Sequence, residues 1–189
     1  MPFLAFLDAN VLVPARLRDV LLTLGEEGLF QPRWSVGVLE EVRRHLPAEM
    51  DVRAVDRLLS AMEEAFPEAK VEWPGVVDIS VRLMSNPKDR HVVAAALWSG
   101  CEVLVTADVR LCAEIERLTS LEPQRPDAFL AFAVDAGPPR AIASLVEMVR
   151  RRWLPEDQRI SDDQVIERLV AWCRRRDLPA TADVISRCR

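Results

Sequence analysis

Two short apolar runs, each followed by an aspartate, set the tightest limit on what this chain can fold into. Phe3-Leu-Ala-Phe-Leu7 leads into Asp8, and Glu102-Val-Leu-Val-Thr106 leads, through Ala107, into Asp108. Both runs are too short for a second helix and too uniformly apolar for a half-exposed strand, so they read as buried strands of a mostly parallel sheet. In open α/β sheets ligands collect outside the carboxyl ends of the strands, which is where both aspartates fall. The stretch before the second run reads as a helix. Asn86 is a good N-cap, Pro87 suits the first helical position, Val92, Val93, Ala96 and Leu97 give an apolar face, and Gly100 is a natural stop. Asp89 then lies in the first turn of that helix and is delivered to the same rim.

The rest of the chain alternates in kind. Arg16–Glu27 has a helical face in Leu17, Val20, Leu21 and Leu24. Phe30-Gln-Pro-Arg-Trp34 reads as an extended link, because Pro32 argues against a central strand. Ser35 opens a helix over Val36–Leu46, stopped by Pro47, and Asp51–Phe66 forms another. Ala69–Trp73 suits a strand and Pro74-Gly75 a turn. Val76–Ser85 reads as either a short helix or an irregular segment. A helix over about 110–118 and a strand near Thr119–Glu122 follow. Strands alternating with helices and joined by right-handed crossovers imply an α/β fold with helices flanking the sheet. From Pro126 the pattern is helical, with starts at Pro126-Asp127, at Pro138-Pro139, at the capping box Ser161-Asp-Asp-Gln164, and at Pro179. The expected division is a domain over residues 1–135 and a helical extension over 136–189, packed on that domain or on a partner.

Bulk properties exclude several classes. The 189 residues are half hydrophobic and 29% charged, which argues for a proper core and against disorder. A net charge of −5 argues against nucleic-acid binding by bulk charge but leaves room for local basic patches. Cys101, Cys112, Cys173 and Cys188 form no CxxC pair, and two histidines are too few for a Cys/His zinc site. The cysteines read as free thiols in a reducing compartment. With no basic leader and no apolar run long enough to span a bilayer, a soluble, cytoplasmic protein is expected.

The acids carry the chemistry. Glu40 and Glu41 are adjacent, and at about 100° per residue Glu41 falls at the edge of the face formed by Val38, Leu39, Val42 and Leu46, whereas Glu40 points to solvent. Asp8, Glu41, Asp89 and Asp108 are thus the candidates for one site. Each has a plain structural reading as well. Asp8 before Asn10 suits an Asx-turn, Asp108 a turn or N-cap, Asp89 a helix dipole, and Glu41 a solvated helix. Gathered carboxylates repel one another, and a divalent cation relieves that repulsion. Hard Mg²⁺ or Mn²⁺ takes oxygen ligands, retains waters, and activates water against phosphate esters.

The motifs Leu7-Asp-Ala-Asn-Val11, Ser35-Val-Gly-Val-Leu-Glu-Glu-Val42, Asn86-Pro-Lys-Asp-Arg-His-Val-Val-Ala-Ala-Ala96 and Val105-Thr-Ala-Asp108, in this order, resemble those of PIN-domain ribonucleases. The likeness is greatest to VapC-type toxins of bacterial toxin–antitoxin pairs, and it covers about residues 3–135. It implies a PIN-like fold and Mg²⁺- or Mn²⁺-dependent endonucleolytic cleavage of RNA. Asp8, Glu41, Asp89 and Asp108 take the family's acidic positions, with Asp8, Asp89 and Asp108 at the metal and Asn10 and Thr106 supporting. It also implies a homodimer or higher oligomer and a small antitoxin partner. Arg16, Arg18, Lys88 and Arg90 flank the motifs and are candidates for RNA phosphate contacts. The helical extension departs from the compact toxins. Three alternatives stand beside this expectation: an aspartate-phosphorylating α/β enzyme, a catalytically silent PIN scaffold acting through its helical tail, and a processing nuclease without an antitoxin. The first fits poorly, since Asn10 stands where a phosphatase wants an acid and Lys70 and Lys88 are the only lysines.

Overall fold

The computed structural model describes residues 3–75, 79–82 and 84–188. Its centre is a five-stranded, all-parallel sheet in the order β3-β2-β1-β4-β5. The strands are β1 (Leu4–Leu7), β2 (Gln31–Ser35), β3 (Lys70–Val71), β4 (Val103–Val105) and β5 (Glu122–Gln124). The expected α/β class and mostly parallel sheet are present. β1 lies in the middle, with Phe6 opposite Arg33 on one side and Leu104 on the other. Ala5, Phe6, Leu7, Leu104 and Val105 are all fully buried, which is why these runs carry no polar alternation.

Two compact units divide the residues. One contains residues 1–18 and 31–125, and the other contains 19–30 and 126–189. In the sheet unit β1 is followed by the single-turn α1 (Ala9–Leu12). β2 runs into α3 (Val36–His45), after which come α4 (Val52–Ala65), α5 (Ile79–Arg82), α6 (Arg90–Trp98) and α7 (Val109–Leu118). Both α3 and α6 pack against β2. Helix α2 (Ala15–Glu26) begins in this unit and continues in the other. The helical unit contains α8 (Pro126–Asp135), α9 (Pro138–Trp153), α10 (Asp162–Arg175) and α11 (Pro179–Arg187), with the Ser161–Gln164 capping box formed. Its starts fall where the prolines and Ser161 place them. Among the described residues, no single helix is long and apolar enough to cross a membrane. All four cysteines are free thiols.

Three expectations are corrected. The segment around Pro32 is an interior strand rather than a link. Gln31 donates to the Phe3 carbonyl of β1 at 2.9 Å and Trp34 donates to the Ala69 carbonyl at 2.9 Å, so the amide directions alternate between the two neighbours. Pro32 falls on the β3 side, but β3 is so short that its pairing covers only Trp34 and Ser35. The missing N–H therefore breaks no rung. The helix expected from Asn86 begins at Arg90 instead, with Asp89 at its N-cap. Asn86 closes a preceding turn, accepting from the Lys88 amide at 3.1 Å. Strand β5 starts at Glu122, later than expected. The Thr119 hydroxyl donates to the Ile115 carbonyl and accepts from the Leu121 amide, which uses residues 119–121 as the end of α7. The last crossing of the chain between the two units falls at 125/126. Helix α8 packs against α11, and Asp127 explains the attachment. Its carboxylate accepts from the Ala180 and Thr181 amides at 3.0 and 2.8 Å, capping a helix whose own N-cap, Leu178, offers no side-chain acceptor. Of the ambiguous Val76–Ser85 stretch, Ile79–Arg82 is a helical turn, and residues 76–78 and 83 lie outside the described set.

Candidate active site

Asp8 leaves the end of β1 directly and becomes the N-cap of α1. Its Oδ1 accepts from the Ala9 amide at 2.7 Å, and its Oδ2 accepts from Asn10 Nδ2 at 2.6 Å and Thr106 Oγ1 at 2.8 Å. Thr106, fully buried at the end of β4, is the hub of this network. Its hydroxyl donates to Asp8, accepts from Asn10 Nδ2 at 2.9 Å, and accepts from the Asp108 amide at 3.2 Å. Asn10 Oδ1 accepts from the Ala107 amide at 3.0 Å, completing a bridge between the carboxyl ends of adjacent strands. The two supporting positions thus orient the buried carboxylate.

Asp108 is the N-cap of α7, and its Oδ1 accepts from the Arg110 and Leu111 amides. Asp89 is held by Asn86, whose Nδ2 donates to Oδ2 at 2.7 Å. Three of the four acids therefore stand at N-caps. For Asp8 and Asp108 the capping reading and the site reading are compatible, since a cap aims a carboxylate and a helix N-terminus tolerates its charge, whereas Asp89 makes no capping hydrogen bond. The fourth acid, Glu41, lies half-buried on α3 while Glu40 is exposed, as the helical angle implies. Glu41 Oε1 lies 3.2 Å from His91 Nε2 and 3.8 Å from Arg44.

Asp8 is only 6% exposed. Burial, against the lowering influence of its Thr106 and Ala9 hydrogen bonds, pushes its carboxyl from 3.8 up to about 6, with Glu41 and Asp89 adding repulsion. Asp89 is raised as well, first by desolvation and then by Asp108 and Glu41, with Asn86 and His91 opposing. All four acids are therefore electrostatically coupled. Among the described residues, neither Asp8, Asp89 nor Asp108 takes part in a salt bridge. This donor set, hard oxygens with uncompensated charge, fits a divalent cation. It is not a closed shell, because among the described residues no three acidic or His/Cys side chains are gathered tightly enough to hold an ion by themselves. Their lone pairs are spent partly on caps, and repulsion opposes closer approach. A hydrated ion, which needs only one or two direct carboxylates, suits the geometry better than a fully protein-ligated one.

A family model described as a PIN domain matches residues 5–110. The chain belongs to the PIN-domain family. PIN domains are generally nucleases and typically use divalent metal ions. No curated relative and no solved structure matches this PIN domain.

The flanking cations differ in availability. Lys88 and Arg16 are exposed. Arg18 is not a surface contact. It is 7% exposed and donates to the carbonyls of Leu12 at 2.6 Å and Val13 at 3.2 Å, closing the end of α1. Arg90 is half-buried and donates to the Met84 carbonyl at 2.7 Å. The sequence reading missed the Gly37–His91 pair. A Cβ at Gly37 would come within 3.0 Å of His91 Nδ1, so the glycine lets the imidazole lie against α3 and reach Glu41. The G in Val36-Gly-Val38, one turn before Glu41, was the available signal.

Proposed function

We propose that this PIN domain is a metal-dependent endoribonuclease. The observation that carries the reading is Asp8: a nearly buried carboxylate, fixed by Thr106, Asn10 and the α1 amide, close enough to Glu41 and Asp89 to feel their charge and, among the described residues, in no salt bridge. A carboxylate kept in such a place destabilises the fold unless charge is supplied. Asp8 would hold Mg²⁺ or Mn²⁺ together with Asp89 and Asp108, directly or through waters. The bound ion supplies Lewis acidity toward a phosphodiester and a lowered pKa for water. Glu41, steadied by His91, orients the attacking water. Asp108 and Asp89 are presented by helix N-termini, which also favour a phosphate oxygen nearby. Lys88 and Arg16, both exposed, are the candidates to meet the RNA backbone.

RNA as substrate, a toxin role with a small antitoxin partner, and a homodimeric state are supported by the resemblance of the four motifs in order. The test is cleavage of total RNA by the purified chain. Discrete fragments are expected with Mg²⁺ or Mn²⁺. They should vanish with chelator, with Asp8→Asn and with Glu41→Gln, and persist with Glu40→Ala. Intact RNA at a metal concentration where the protein binds metal would overturn the reading in favour of a silent scaffold.

A further inference from the structure

We propose that a groove adjoining the candidate active site is a stacking platform for an unpaired nucleobase of single-stranded RNA. The proposal rests on the ribonuclease reading and names the part of the substrate that a second site would take.

The groove encloses about 590 Å³ and lies wholly in the sheet unit. That size falls within the range of about 300–1,000 Å³ of small-ligand sites. Its walls are Val36 and Gly37 at the start of α3, Trp73 and Pro74 beyond β3, and His91 and Trp98 on α6. Two placements tie it to the acids. Val36 and Glu72 directly follow β2 and β3, just as Asp8 follows β1, so part of the groove's lining continues the same carboxyl-end rim along the sheet. His91 belongs to both places, since its ring lines the groove while its Nε2 meets Glu41 Oε1.

The lining chemistry selects the occupant. Trp98 is 58% exposed and Trp73 is partly exposed, so two indoles in this lining are open to solvent. His91 and Trp98 are seven residues apart on α6, so they share a face two turns, about 10 Å, apart. Indole and imidazole faces are the surfaces on which unstacked bases settle. Among the described residues no lysine or arginine lines the groove, and its one carboxylate is Glu72. That combination repels phosphate but accepts hydrogen bonds from base amino groups. A peptide finds less here, because β3 is a two-residue edge strand that offers too few rungs for strand addition. Duplex RNA keeps its bases stacked inside and cannot use the groove.

The test is anisotropy of a labelled, mixed-sequence single-stranded RNA bound to Asp8→Asn protein, in which the probe survives. Trp98→Ala and Trp73→Ala are expected to weaken binding by about 5- to 150-fold each, whereas Trp98→Phe retains most of it. A probe with abasic sites replacing its bases should bind the parent and Trp98→Ala alike. Trp98 is exposed, so its variants decide the matter even where Trp73→Ala fails to fold. Unchanged single-strand affinity in Trp98→Ala overturns the assignment, and if that variant instead dissolves a dimer in sedimentation, the groove belongs to a second copy. Where wild type still cleaves RNA, only the groove assignment falls. Where wild type cuts no RNA and Asp8→Asn binds none, both readings fall.

Discussion

Replacing Asp8 by Asn should stabilise the metal-free protein at neutral pH. Burial raises the Asp8 carboxyl from 3.8 to about 6, so folding at pH 7 costs on the order of 3 kcal/mol to keep it ionised. The native state holds this proton more tightly than the unfolded chain. Stability from this group is therefore present below about pH 4 and declines as pH rises through about 6. Asparagine removes the charge but not without loss. Its Oδ1 still accepts from the Ala9 amide, whereas its Nδ2 faces the Asn10 and Thr106 donors that Oδ2 now accepts. One to two hydrogen bonds lost at about 1 kcal/mol each leave a net gain of about 1–2 kcal/mol at pH 7–8. The assay is urea unfolding in chelator from pH 4.5 to 8. Wild type should lose stability across pH 4–6 relative to Asp8→Asn, and the two curves should cross. A variant less stable than wild type by the same amount at every pH would refute the argument, since it would mean that Asp8 contributes only its hydrogen bonds.

Excess Mg²⁺ or Mn²⁺ should raise the wild-type unfolding midpoint by the equivalent of about 2.7 kcal/mol at a hundredfold over Kd. It should leave Asp8→Asn nearly unmoved, as read by differential scanning fluorimetry with and without chelator. Thr106→Val keeps the shape but removes the hub hydroxyl, and a stability loss of about 1–3 kcal/mol is expected together with reduced cleavage. Thr106→Ser should restore both. Asp127→Ala uncaps α11 and should cost about 1–2 kcal/mol in urea unfolding, since its carboxylate meets the Ala180 and Thr181 amides.

Three of the four candidate acids were legible because each marks the end of an element that sequence pattern can locate. Asp8 and Asp108 follow apolar runs, Asp89 precedes an apolar helical face, and Glu41 separates from Glu40 by helical angle alone. Local signals also placed the helical starts after residue 125, where proline and a capping box act within a few residues. Pro32 was misleading because its effect depends on which neighbour its missing amide would face, and that is a property of the sheet. Arg18 looked like a surface cation because sequence shows charge but not burial, and its guanidinium turns inward to the α1 carbonyls.

By itself, the sequence determined the alternation of strands and helices and the family, and it singled out four candidate acids. These follow from periodicity and from residues near one another in the chain. Only the tertiary structure decided that Thr106 and Asn10 lock Asp8 across strands β1 and β4. It alone set His91 over Gly37 beside Glu41, and it made α8 the partner of α11. The partners in each case are far apart in sequence. Hydrogen-bond satisfaction and close packing act on neighbours in space, which a linear pattern does not record.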